Sequence, residues 1–159
     1  NSTISLDSIR SKCRKLKMNK GLGLVIIDYI QLMDTRKRRG GDQNRSSELG
    51  EISRGLKIMA RELDVPVVAL SQLNRELEKR PDKKPRLSDL RESGSIEQDA
   101  DVIMFIHREA GYHHNPRDLD PETRRDAAII VAKQRNGPTG TAKMCFFSEY
   151  TCFENRQDE

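Results

Sequence analysis

The chain has 159 residues, of which 34% are charged, 35% hydrophobic and 4% aromatic, with no Trp and a net charge of +4. That length holds one domain with a proper core. No apolar stretch approaches a membrane span, no signal peptide is visible, and Cys13, Cys145 and Cys152 are odd in number with no C-x-x-C pair, which excludes a membrane protein and a disulfide scaffold and predicts a soluble, cytoplasmic domain with reduced thiols.

Leu6, Ile9, Cys13 and Leu16 form one apolar stripe on a predicted helix whose other faces carry Arg10, Lys12, Arg14, Lys15, Lys17 and Lys20. Ser5 or Asp7 caps it, and Gly21 and Gly23 break the chain after it. This basic cluster, like Arg36-Lys37-Arg38-Arg39 further on, either tracks phosphates or is a solvated face, and charge alone does not separate the two. The run Leu24-Val25-Ile26-Ile27 ends on Asp28. A continuous apolar run predicts a strand buried on both faces in a parallel sheet. A charge at its end is costly without a partner or a task, and ligands of open α/β sheets bind just beyond strand carboxyl ends. Asp28 is therefore a candidate to hold Mg²⁺ beside a nucleotide. The alternative is a strand that ends in Asp before a turn.

Asp34 to Arg45 is polar, carries Gly40-Gly41 and reads as a loop. Leu49, Ile52, Leu56, Met59 and Leu63 predict a helix of four turns, inside which Gly55 points to a close packing contact. Val67 to Leu70 is a second buried strand, running into Ser71-Gln72. The Gln72 amide both donates and accepts, which suits a place near a γ-phosphate; otherwise it is a loop-start residue bonded to backbone. Residues 74–88 read as an exposed loop. In the small, polar run from Leu90 to Asp101, Gly94 lets backbone approach a ligand and Arg91 can clamp a nucleic-acid phosphate. Ser95 can equally cap a short helix from Ile96.

Val102 to Ile106 is a third strand-like run. Asp120-Pro121 marks a helix start within the polar stretch 107–125. His107, His113 and His114 have no Cys or second carboxylate at ligand spacing and read as surface residues. The scarcity of aromatics disfavours a base-stacking mode of strand binding. Ala127 to Ala132 and Ala142 to Phe147 flank Gly137-Pro138-Thr139-Gly140 and predict a hairpin. Alternation puts Lys133 and Arg135 on one side of the chain and Gln134 on the other. Two such cations call for an anion, a neighbouring subunit's phosphate being one choice, or they protect an edge strand. The expected fold class is α/β, a mostly parallel sheet with an antiparallel C-terminal hairpin at one edge.

Four segments in order resemble bacterial replicative helicases of the DnaB type. Leu22 through Met33 resembles their Walker B segment, and Ser71-Gln72-Leu73-Asn74-Arg75 their sensor motif. Leu87 through Asp101 resembles their DNA loop, and Ala132 through Gly140 their arginine-finger segment. The resemblance implies a RecA-like P-loop NTPase core, with residues 1–159 a single partial motor domain. It implies a homo-hexameric ring that hydrolyses ATP to move along single-stranded DNA and unwind duplex. By that likeness Asp28 supports Mg²⁺ and the attacking water, and Gln72 senses the γ-phosphate. Lys133 and Arg135 reach the ATP site of the next subunit, and Arg91, Glu92 and Gly94 line the DNA channel. Primase and a helicase loader are the implied partners, with no membrane involved.

Nothing in the chain resembles G-x-x-x-x-G-K-[ST]. The family places that cradle, the water-polarising glutamate and the primase-binding domain upstream of Asn1, so residues 1–159 alone are expected to be inactive. The stretch 107–125 is longer than the family pattern and reads as a local insertion. Two other readings stay open: another RecA-like ring ATPase, or a non-catalytic, P-loop-less module that binds DNA or a helicase ring.

Overall fold

The computed structural model describes residues 5–33, 45–113 and 115–156, with side chains for all of these except 45, 91–94 and 116. The Arg36–Arg39 run, Gly40-Gly41 and His114 lie outside the described residues. The chain divides into two units, Asn1–Asn74 with Leu90–Ala100, and Arg75–Asp89 with Asp101–Glu159.

The first unit opens on helix α1 (Leu6–Lys20), capped by the Ser5 hydroxyl, which accepts from the Ser8 amide at 3.3 Å. Gly21 ends it with φ +80°, a left-handed conformation that glycine adopts without a Cβ clash, and its amide donates to Lys17 O. Leu6, Ile9 and Cys13 turn to the core as the stripe predicts, while Leu16 stays exposed. Strand β1 (Val25–Ile27) pairs in parallel with β2 (Val67–Ala69), and helix α2 (Arg45–Leu63) connects them. All five apolar positions predicted for α2, from Leu49 to Leu63, are buried, and they pack with Val25, Ile27, Ile30 and Met33. The predicted contact at Gly55 is present: a Cβ there would collide with Leu6 Cδ2 of α1.

The basic cluster on α1 is partly internal. Arg10 and Arg14 both donate through Nε to the Glu62 carboxylate of α2, at 2.7 and 2.6 Å, and Lys17 Nζ donates to Leu63 O. The two guanidiniums hold the Glu62 carboxyl below its ordinary pKa. Half of the six cations thus bind helix to helix.

One expectation fails here. β1 and β2 are not buried on both faces: Val25 and Ile27 point to the core, but Ile26 is 63% exposed and Val68 43%. Strand side chains alternate, and among the described residues of this unit only one face of the strand pair is covered. The apolar run therefore reported strand character correctly and burial incorrectly.

The second unit is a four-stranded antiparallel sheet in the order β3 (Val102–His107), β4 (Asp126–Gln134), β5 (Gly140–Phe147), β6 (Cys152–Asn155). The predicted hairpin is its β4–β5 pair. The antiparallel portion is larger than that hairpin, because β3 joins β4 antiparallel and β6 adds a strand the sequence did not signal. β3 alternates cleanly: Ile103, Phe105 and His107 face inward, and Val102, Met104 and Ile106 outward. The short helix α4 (Pro121–Arg125) begins at the predicted Asp120 cap, whose carboxylate accepts from the amides of Glu122 and Thr123.

Residues 74–88 are more ordered than an exposed loop. They hold a 3-10 turn, Arg75–Lys79, and bury Leu77 and Pro85. The buried Asp89 anchors them, accepting from Arg80 Nη1 at 3.1 Å, from Arg80 Nη2 at 2.7 Å and from the Arg86 amide at 2.7 Å. No described helix is long and apolar enough to cross a membrane.

Candidate functional site

Parallel pairing places Ile27 opposite Ala69, so the chain leaves β1 and β2 at the same end. The ladder continues past the strands: the Leu70 amide donates to Ile27 O at 2.9 Å, and the Ile30 amide to Leu70 O at 3.0 Å. Asp28 sits in the bend just after β1, exposed, and Gln72 follows β2. Their segments are fastened by Gln31, in the 3-10 turn Ile30–Leu32. Gln31 Nε2 donates to Ser71 Oγ at 3.0 Å and to Gln72 O at 3.1 Å, and Gln31 Oε1 accepts from the Gln72 amide at 3.3 Å. Gln31 was missed in the sequence, where it stood inside an informative run with no chemistry assigned. Its one signal was an amide between Ile30 and Leu32 in an otherwise apolar stretch.

An exposed carboxylate at the carboxyl end of a parallel strand fits a Mg²⁺–nucleotide pair. Mg²⁺ takes one or two carboxylates, keeps several waters and completes its shell with phosphate oxygens. Among the described residues no group of three His, Cys, Asp or Glu could hold a metal by itself.

Lys133 and Arg135 belong to the second unit. Val131 lies opposite Met104 and Lys133 opposite Ile103, which leaves Ala132 as a bulge. A bulge re-aims the residues beside it, so simple alternation does not set the direction of Lys133. Lys133 is half-buried and Arg135 exposed at the start of the β4–β5 turn. The Arg135 amide donates to Asp101 O at 2.9 Å, and its guanidinium lies 3.6 Å from the Asp101 carboxylate. That pairing joins residues 34 positions apart and carries no local signal.

Leu87–Ser93 is a 3-10 turn that passes directly into α3 (Gly94–Asp99). The side chains of Arg91, Glu92 and Gly94 lie outside the described residues. Ser95 falls inside the first turn of α3, two residues past the capping position, so the helix starts earlier than the expected Ile96. α3 packs on α2 through Gly50, where an added Cβ would stand 2.7 Å from Ser95 Oγ.

His107 corrects the expectation of surface histidines: it ends β3 at 8% exposure, with its ring 5.8 Å from Tyr112. His107 Nε2 and His113 Nε2 each lie 3.7 Å from the Glu109 carboxylate. Burial pushes the His107 pKa down, against the opposing pull of Glu109. The folded state thus keeps His107 neutral while the unfolded chain takes up a proton near pH 6.5. Stability is expected to fall as pH drops below about 6.5, because the unfolded state then binds more protons. His107→Phe should flatten that fall in denaturation midpoints measured at pH 7 and pH 5. An equal fall in the variant removes His107 as its cause.

Residues 1–155 match the family model described as the DnaB-like helicase C terminal domain. The replicative DNA helicase DnaB of Geobacillus stearothermophilus is 51% identical over 153 residues, 96% of this chain and 32% of that protein. The solved ATPase domain of G40P superposes with a TM-score of 0.86 at 45% identity, covering 99% of this chain and 53% of that one. A DnaB-like replicative helicase, solved in a study of its interactions with primase, gives the same TM-score and identity over 99% of this chain and 37% of its own. The chain spans about a third of the length of the curated relatives it matches. Its fold is the RecA-like α/β fold of these ATPase domains.

Proposed function

Because the chain belongs to the family of DnaB-like helicase C-terminal domains, we propose that it is the part of a replicative helicase motor that runs from Walker B to the arginine finger, within one motor domain. The whole protein works in the cytoplasm as a homo-hexameric ring. It hydrolyses ATP with Mg²⁺ to move along single-stranded DNA and unwind duplex, and it meets primase and a loader.

The observation that carries this reading is the shared strand end at which Gln31 fastens the segments of Asp28 and Gln72 together. Asp28 supports the Mg²⁺ that accompanies ATP. Gln72 answers the γ-phosphate, and the Gln31 clamp conveys its position to the β1 segment. Lys133 and Arg135 act on the ATP of the adjoining subunit, a head-to-tail contact that closes into a ring when the rotation allows. Arg91, Glu92 and Gly94 grip DNA phosphates in the channel without reading sequence. The phosphate cradle comes from polypeptide outside these residues, since no G-x-x-x-x-G-K-[ST] run is present.

In the full-length protein, a dT oligonucleotide is expected to stimulate ATP hydrolysis. Gln72→Ala should abolish the stimulation and leave basal hydrolysis in place, while residues 1–159 alone turn over no ATP. A full-length protein that hydrolyses no ATP on single-stranded DNA would instead be a non-catalytic module. Stimulated hydrolysis without unwinding of a forked duplex would make it another ring ATPase.

A further inference from the structure

We infer that a cleft in the second unit, apart from Asp28 and Gln72, binds a phosphate group. The cleft holds about 420 Å³ and is lined by Arg108, Asn115, Arg117, Arg124, Ser148 and Glu149. Three arginines and one glutamate are among the lining residues, and among the described residues none of the three arginines forms an ion pair. Convergent cations repel one another until an anion joins them. Four of these six polar and charged residues come from the stretch 107–125.

The arginines are held in place by contacts that leave donors unused. The Arg108 guanidinium stacks on the Phe146 ring, 3.6 Å from its centroid. Arg124 Nη2 donates to Arg117 O at 3.2 Å and to Leu119 O at 3.0 Å. Both side chains keep a buried Nε with no hydrogen-bond partner among the described residues. Phosphate supplies several oxygens to an arginine fork. The loop that carries Arg117 is pinned by Asn115, whose Nδ2 donates to Asp118 Oδ1 at 2.9 Å and whose Oδ1 accepts from the Arg117 amide at 3.3 Å. Ser148 adds a hydroxyl from the turn after β5.

The inference does not rest on the motor reading. Its test uses the full-length protein and two probes, inorganic phosphate by calorimetry and a dT oligonucleotide by fluorescence anisotropy. Arg117→Ala, at an exposed position, is expected to weaken phosphate binding at least fivefold. Glu149→Gln, which removes the opposing charge, should tighten it at least twofold, a gain that misfolding cannot imitate. Oligonucleotide affinity that moves with phosphate affinity, with a salt slope lowered by about one in Arg117→Ala, assigns the phosphate to nucleic acid. Movement of inorganic phosphate alone assigns the site to a free phosphate or a small phosphorylated ligand. Unchanged affinity for both probes in both variants overturns the proposal.

Discussion

Arg135→Ala is expected to lower ATP hydrolysis by about 10³- to 10⁵-fold in the assembled ring while ATP affinity changes little. An arginine presented to a neighbour's nucleotide stabilises charge that develops only in the transition state, so its loss falls on the rate. Here Arg135 is bound to Asp101, and the two side chains are 47% and 55% exposed. Exposed pairs of this kind contribute about 0.2–1 kcal/mol, so leaving Asp101 for a phosphate costs little. The Arg135 amide still donates to Asp101 O in the variant, so that turn contact is kept. Arg135→Lys should restore only part of the rate, since an ammonium lacks the planar fork. Steady-state hydrolysis set beside equilibrium ATP binding checks this, and a parallel loss of both would assign Arg135 to folding.

The second large effect is expected at Asp28. Asp28→Asn keeps the shape and removes the charge, and should cut hydrolysis at least about a hundredfold. A metal ion acting on phosphoryl oxygens contributes several kcal/mol, and about 1.4 kcal/mol is tenfold in rate. The half-saturating Mg²⁺ concentration should rise together with the fall in rate. Asp28 is exposed in a bend, and the bonds that fasten this strand end run through Gln31, Ile30 and Leu70, so the local fold survives the change. A Mg²⁺ titration of hydrolysis that superimposes on that of the parent removes Asp28 from the metal's surroundings.

The helices were legible because their signals are local and redundant. Five apolar positions fixed α2, the Ser5 and Asp120 caps marked α1 and α4, and the Gly137-Pro138 turn marked the hairpin. Burial was not legible, because Ile26 and Val68 have the composition of covered residues whichever face is covered. β6 escaped because its four residues, Cys152–Asn155, carry one strong apolar side chain and no alternation. The pairing of β3 with β4 rests on contacts between distant segments that no window of sequence contains. At the candidate site, the position of Asp28 at a strand end could be read from hydropathy alone. The Gln31 clamp and the Asp101–Arg135 pair could not, since each joins residues more than thirty positions apart whose types fit many surface roles.

The two glycines of α2 have an evolutionary corollary. Gly55 leaves room for Leu6 and Gly50 for Ser95, so α2 meets both neighbouring helices through missing side chains. Bulk at positions 50 and 95 is then a shared quantity: descendants that gain a methyl at 50 should shrink at 95, and the two sites should drift as a pair. An alignment in which both grow together would show that α3 can retreat from α2 without penalty.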